Sequence, residues 1–184
     1  MATCVITIFI VEDFVSWTQQ STDWAQETLY QIINHRYRYK ALVVTTNVSL
    51  SQIEGRILSR LSDDQNGGIV RIDAPDYRLG ASNDVTTDAP WCTTINPQML
   101  FSTFTPQQNE PLTKEDKKSI TNAVHMAKVV AAHPKGTVVV GGETYSGKTH
   151  LGSSIAHELR TNGWQVLYVS TLEVLDCLHL WRLD

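Results

Sequence analysis

Short unbroken apolar runs alternate along this chain with longer stretches whose apolar residues return every three or four positions. Val5–Val11, Leu42–Thr46, Ile69–Ile72, Thr137–Val140 and Val166–Ser170 are the short runs, rich in Val and Ile, and predict buried strands. Between them, Leu29, Ile32 and Ile33 within 24–35, and Ile53, Ile57 and Leu61 within 50–61, share helical faces. A longer stripe of Ile120, Ala123, Val124, Ala127, Val130 and Ala131 spans 114–132. Leu151, Ile155, Ala156 and Leu159 follow the fourth strand, and a last helix starts near Thr171. Asn66-Gly67-Gly68 predicts a turn before the third strand. Buried strands alternating with helices predict an α/β fold with a parallel sheet covered on both faces. Residues 79–111 carry no sustained period and are dominated by Ser, Thr, Asn, Asp, Pro and Gln, which predicts a linker or junction. No internal repeat is visible.

A chain of 184 residues with 42% hydrophobic and 18% charged residues is long enough for one ordinary core. Its net charge of −4 gives no global attraction to nucleic acid or anionic membrane, so such contacts would be local. The apolar run at Val5–Val11 is too short for a membrane span and lacks a basic leader or cleavage site, so it is expected to be a strand and no signal peptide. Cys4, Cys92 and Cys177 are odd in number, far apart and without CxxC spacing, as expected of reduced thiols in a cytoplasmic protein.

The sharpest chemical signal is Gly142-Glu143-Thr144-Tyr145-Ser146-Gly147-Lys148-Thr149, which fits the phosphate-loop pattern GxxxxGK[ST]. A strand precedes it and a helix follows, so backbone N–H groups and the positive end of the helix dipole would face an anion. In that arrangement Lys148 reaches the β- and γ-phosphates and the Thr149 hydroxyl ligands Mg²⁺. A glycine turn followed by Lys-Thr is the plainer explanation, and the strand and helix on either side argue against it. Tyr145 stands at a position often held by glycine, where any positive φ would strain it.

Hydrolysis also needs a carboxylate near the metal. Ile8–Val11 runs into Glu12-Asp13, two acids at the carboxyl end of a strand, where α/β folds hold their ligands. Glu12 would contact Mg²⁺ through water and Asp13 would orient or deprotonate the attacking water. The alternative is a pair of acids ending a strand at the surface. Asn47, after Thr45-Thr46, could hold that water, or could be a turn or cap residue before Ser49. Arg56 and Arg60 lie four apart on one helix face, as an arginine finger reaching a neighbouring subunit or as solvated cations at a helix end. His35–Lys40 is a basic run whose position at a helix C-terminus explains it better than a nucleic-acid patch does.

Together these segments resemble the AAA+ ATPase core of DnaC/DnaI-type helicase loaders and the related IstB transposition-helper ATPases. Gly142–Thr149 with His150-Leu151 and Ile155-Ala156 resembles the start of that core. Trp24–Tyr37 resembles the segment after its Walker B strand, and Thr45-Thr46-Asn47 its sensor 1. Arg56–Leu61 resembles its arginine box, Asp76-Tyr77-Arg78 its closing motif, and Phe101–Phe104 with Lys114–Ala132 its lead-in. The likeness covers nearly the whole chain outside 79–91, but in exchanged order, with the Walker B half first. Glu12 stands where the family prefers Asp and Tyr145 where it prefers Gly, and the family's separate helicase-gripping domain has no counterpart.

The resemblance implies a P-loop, AAA+-type sheet of five parallel strands in the order 5-1-4-3-2, circularly permuted. Residues 1–78 would supply the Walker B, sensor 1 and arginine-box half and 112–184 the phosphate-loop half of one composite domain, joined by 79–111. It implies ATP and Mg²⁺ as cofactors, Asp13, Asn47 and Arg60 as catalytic residues, and a homo-oligomer through Arg60. A replicative helicase, a transposase and single-stranded DNA are the partners it implies, with no membrane. A rearranged, non-catalytic interaction module is the reading of a different class. A small-molecule kinase leaves Thr45-Thr46-Asn47 and the paired arginines unexplained.

Overall fold

The computed structural model describes residues 7–12, 23–63, 65, 67–73, 95–105, 112–143 and 146–175. Its elements are β1 (Thr7–Glu12), α1 (Asp23–Arg36), β2 (Leu42–Thr46), α2 (Gly55–Leu61), β3 (Gly67–Ile72), α3 (Lys114–Ala132), β4 (Thr137–Gly142), α4 (Lys148–Thr161) and β5 (Gln165–Ser170). Residues 171–175 begin a further helical stretch. Among the described residues no helix is long and apolar enough to cross a membrane.

The described strands are all parallel and lie in the order β3-β4-β2-β1-β5. This non-sequential order coincides strand for strand with the expected 5-1-4-3-2 arrangement, including the pairing of the first strand with the last. β1 and β5 run in register from Thr7 opposite Gln165 to Glu12 opposite Ser170. Strand alternation divides the apolar residues between two faces. Ile10, Val43, Val138 and Val140 pack with Ile120, Ala123 and Ala127 of α3 and Leu151, Ile155 and Leu159 of α4. Their neighbours Val11, Leu42, Val44 and Val139 pack with Leu29 and Ile33 of α1 and Ile57 and Leu61 of α2. Both faces of the sheet are therefore covered, which is why these strands read as continuous apolar runs rather than as alternation.

Local chemistry sets the start of α3. Thr113 caps α3 through a reciprocal capping box: it accepts from the Asp116 N–H at 3.1 Å, and the Asp116 carboxylate accepts from the Thr113 N–H at 2.9 Å. Among the boundaries that differ from expectation, β4 runs on to Gly142, and two others have a local cause. The helix expected over 50–61 is divided into a 3₁₀ turn at Leu50–Gln52 and α2, because Ile53 and Glu54 are extended (ψ 138° and 133°). Gly55 directly follows this break, and glycine weakens a helix interior by about 1 kcal/mol relative to alanine, so continuity through it is disfavoured. Gly67 and Gly68 belong to β3 rather than to a turn. A Cβ at Gly67 would lie 1.5 Å from the Thr137 carbonyl oxygen, so only glycine permits this approach of β3 to β4.

Candidate phosphate-binding site

The carboxyl ends of β4, β2 and β1 lie along one edge of the sheet, because the strands are parallel neighbours. Thr46 pairs with Gly141, so Asn47 follows β2 where the phosphate loop leaves β4. Val11 pairs with Val44, and Glu12 ends β1 beside the carboxyl end of β2. Ligands of open α/β sheets bind outside such carboxyl ends. Asp13, Thr144, Tyr145 and the segment Asp76–Arg78 lie outside the described residues, as do Cys4, Cys92 and Cys177.

Two glycines shape the loop. A Cβ at Gly142 would lie 2.5 Å from the Ile72 carbonyl oxygen and 2.7 Å from the Ser146 hydroxyl. Gly147 is the N-terminal residue of the turn into α4, with φ 95° and ψ 10°, a left-handed conformation that side chains disfavour. It offers no side-chain cap, so the first turn of α4 presents its backbone to the loop. Inside the loop the Ser146 N–H donates to the Glu143 carbonyl at 3.2 Å.

Lys148 is buried, 5% exposed, and its Nζ donates to the Glu143 carbonyl at 2.6 Å. The ammonium is thereby folded back over the loop instead of extending into solvent. The Ser146 hydroxyl is buried and has no hydrogen-bond partner among the described residues, and the same holds for the carboxamide oxygen of Asn47. Unsatisfied buried polar groups cost about 1–3 kcal/mol each. These two follow the carboxyl ends of the neighbouring strands β2 and β4. Glu54 Oε2, also without a partner among the described residues, and the buried Arg36 Nε lie elsewhere. Thr46 is fully buried and accepts the Val48 N–H at 3.3 Å, turning the chain immediately after β2. The Tyr168 hydroxyl donates to the Thr149 carbonyl at 3.4 Å, tying β5 to the first turn of α4.

The arginines lie elsewhere, on α2 against α1. Arg60 donates from Nε to Asn34 Oδ1 and from NH2 to the Tyr30 hydroxyl, each at 2.8 Å, and from NH1 to the Arg56 carbonyl at 2.9 Å. Arg56 pairs with Glu54 and, at 3.1 Å, with Glu27. Both guanidinium carbons lie 4.6 Å from the centre of the Tyr30 ring. These contacts bind α1 to α2 within one chain. Arg38 of the basic run pairs with Asp63 at 3.4 Å, which offsets part of that run's charge.

Residues 95–105 lie against α4 inside the stretch read as a linker; the resemblance singled out Phe101–Phe104 as a lead-in, but the packing of the segment on α4 was not foreseen. Asn96, Met99 and Leu100 offer carbonyls to polar side chains of that helix. His150, Ser154 and His157 recur at helical spacing, a signal that on its own describes only a polar helix face. No family model, curated protein or solved structure matches the chain. What stands is a P-loop-NTPase-like parallel fold, generically compatible with nucleotide binding.

Proposed function

We propose that this chain is an ATP-binding AAA+ core of the helicase-loader type with its halves in circularly permuted order. The observation that carries the reading is the sheet order β3-β4-β2-β1-β5 with a GxxxxGK[ST] loop leaving β4. The buried, unpartnered Ser146 hydroxyl, the left-handed Gly147 and the folded-back Lys148 support it, since together they fit a group rich in acceptor oxygens.

In this reading Gly142–Thr149 wraps the phosphates, with Lys148 on the β- and γ-oxygens and Thr149 on Mg²⁺. Glu12 adds a water-mediated contact to the ion, which when bound neutralises charge on the phosphate oxygens. Asn47 holds the attacking water through its unpartnered oxygen, and Asp13 takes up the proton as the water attacks the γ-phosphate, giving ADP and phosphate. Arg60 acts in trans on a neighbouring copy, and a replicative helicase, a transposase or single-stranded DNA is the assembly's target. Binding without turnover is a second reading, favoured by the three hydrogen bonds that hold Arg60 to its own chain.

Titration with a fluorescent ATP analogue, with and without Mg²⁺, tests the first step. Wild-type protein is expected to bind in a Mg-dependent manner and Lys148→Ala to lose binding. Equal affinity in the two proteins would reject the phosphate-loop assignment. Asp13→Asn separates the two readings: hydrolysis that is present in wild type and absent in this variant, at unchanged affinity, supports the enzyme.

A further inference from the structure

Residues 95–105 run along the outer face of α4 toward the phosphate loop. Four polar side chains of that helix reach their backbone. His157 Nε2 donates to the Asn96 carbonyl at 2.9 Å and His150 Nε2 to the Leu100 carbonyl at 2.9 Å. Between them Ser154 Oγ lies 3.2 Å from the Met99 carbonyl and Ser153 Oγ 3.4 Å from that of Asn96. Ile95 anchors one end of the segment in the core shared with Leu151 and Ile155. The segment also holds its own shape: Thr103 Oγ1 accepts the Leu100 N–H at 3.0 Å and donates to the Gln98 carbonyl at 2.5 Å. At its other end stands Phe104, edge-on to the His150 ring with centroids 5.1 Å apart. Two atoms of the Phe104 ring occupy space 2.9 and 3.3 Å from where a Cβ at Gly147 would lie.

We propose that residues 95–105 form a strap that sets the geometry of the phosphate loop, with Phe104 as the residue that positions Gly147. The physical argument concerns a backbone that has another basin open to it. Glycine visits positive and negative φ about equally, so Gly147 by itself does not select the left-handed state that turns the loop into α4. An aromatic ring packed against its Cα restricts the alternatives, and the ring is in turn held by His150, one turn into the helix that Gly147 begins. Strap, ring and helix thus form a closed set of contacts around the loop's last glycine. Rigid support of this kind raises affinity by removing the ordering cost from the binding step.

The proposal rests on the nucleotide-binding reading for its effect on affinity, but its structural part can be measured without ligand. Phe104→Ala and Phe101→Ala both remove an aromatic ring from the strap. Phe101 lies with its ring centre 5.9 Å from the Lys128 ammonium of α3, whereas the ring atoms nearest a Cβ at Gly147 belong to Phe104. In hydrogen exchange of ligand-free protein, Phe104→Ala is expected to speed exchange of the 147–151 amides by about tenfold through local opening, and Phe101→Ala to leave those amides unchanged. Affinity for the fluorescent ATP analogue should fall in parallel for Phe104→Ala alone, and Phe104→Leu should recover part of both effects. Should Phe104→Ala fail to fold, His150→Ala, which removes the ring's edge partner and the bond to Leu100, is expected to open the same amides. Unchanged exchange at 147–151 in the folded variants, or equal acceleration by Phe101→Ala, would overturn the strap. Wild-type protein that binds no nucleotide would reject the proposed function, while the exchange comparison would still decide the strap.

Discussion

A side chain at position 147 meets two penalties together: the left-handed backbone and the Phe104 ring already beside it. Gly147→Ala is therefore expected to destabilise the protein by about 1–3 kcal/mol, measured as a lower urea midpoint. Gly163 is also left-handed but has open space around it, so Gly163→Ala isolates the backbone part of the cost. His150 carries a pH signature. Burial holds its pKa below the usual histidine value of 6.5, against the opposing hydrogen bond to Leu100. The unfolded chain then binds the proton first, so stability is complete above 6.5 and falls as the pH drops from there toward the folded value. Urea midpoints collected across this range should show that decline, and His150→Gln should flatten it. At this scale the loop residues Gly142, Gly147 and Lys148 were legible because a short motif states a backbone requirement. The supporting ring of Phe104 was not, since its contact with Gly147 is made by residues 43 positions apart whose meeting depends on how 95–105 packs.

Helices were read from period and strands from unbroken apolar runs. Most apolar positions expected on α1, α3 and α4 are buried because one stripe on each meets the sheet, with Ile32 and Val124 at its margin. Period could not divide 50–61, since Ile53 is buried whether it ends a turn or starts a helix. Nor could it extend β3 across Gly67-Gly68, where the need for glycine comes from the neighbouring strand. Gly67→Ala is accordingly expected to cost well over the ~1 kcal/mol of an average substitution and to loosen β3 from β4, visible as faster amide exchange in both strands. The arginines of α2 show the reverse problem, a sequence signal with two meanings. In the isolated chain Arg60 joins α2 to Tyr30 and Asn34 of α1, so Arg60→Ala should lower stability by about 1–2 kcal/mol. Arg60→Lys should not restore it, because one ammonium cannot span both partners in the plane of a guanidinium. An unchanged melting temperature in Arg60→Ala would assign this residue a role outside its own chain.

The sheet interleaves the two parts of the chain: β4 lies between β3 and β2, and β5 completes the edge beside β1. Apolar runs made the parallel strands legible, but their order in the sheet was legible only as what the resemblance to the helicase-loader core implies, because period and burial do not say which strands are neighbours. A chain rearranged to run from 86 to 184 and then from 1 to 85 should keep the same cooperative unfolding. Residues 171–184 and 1–6 would then connect β5 to β1, and parallel neighbours need a crossover of about a dozen residues. Loss of a single cooperative transition in the rearranged protein would count against the permuted reading. The β1–β5 pair also sets a schedule for synthesis. β1 is translated ahead of the other described strands, whereas its edge partner begins only at Gln165. Through most of elongation one side of Ile8-Phe9-Ile10-Val11 has no strand to receive its backbone, and a nascent chain with an open apolar edge is what holdase chaperones bind. Released chains truncated before residue 165 should therefore stay protease-sensitive at β1, and released chains extended past Ser170 should gain protection there.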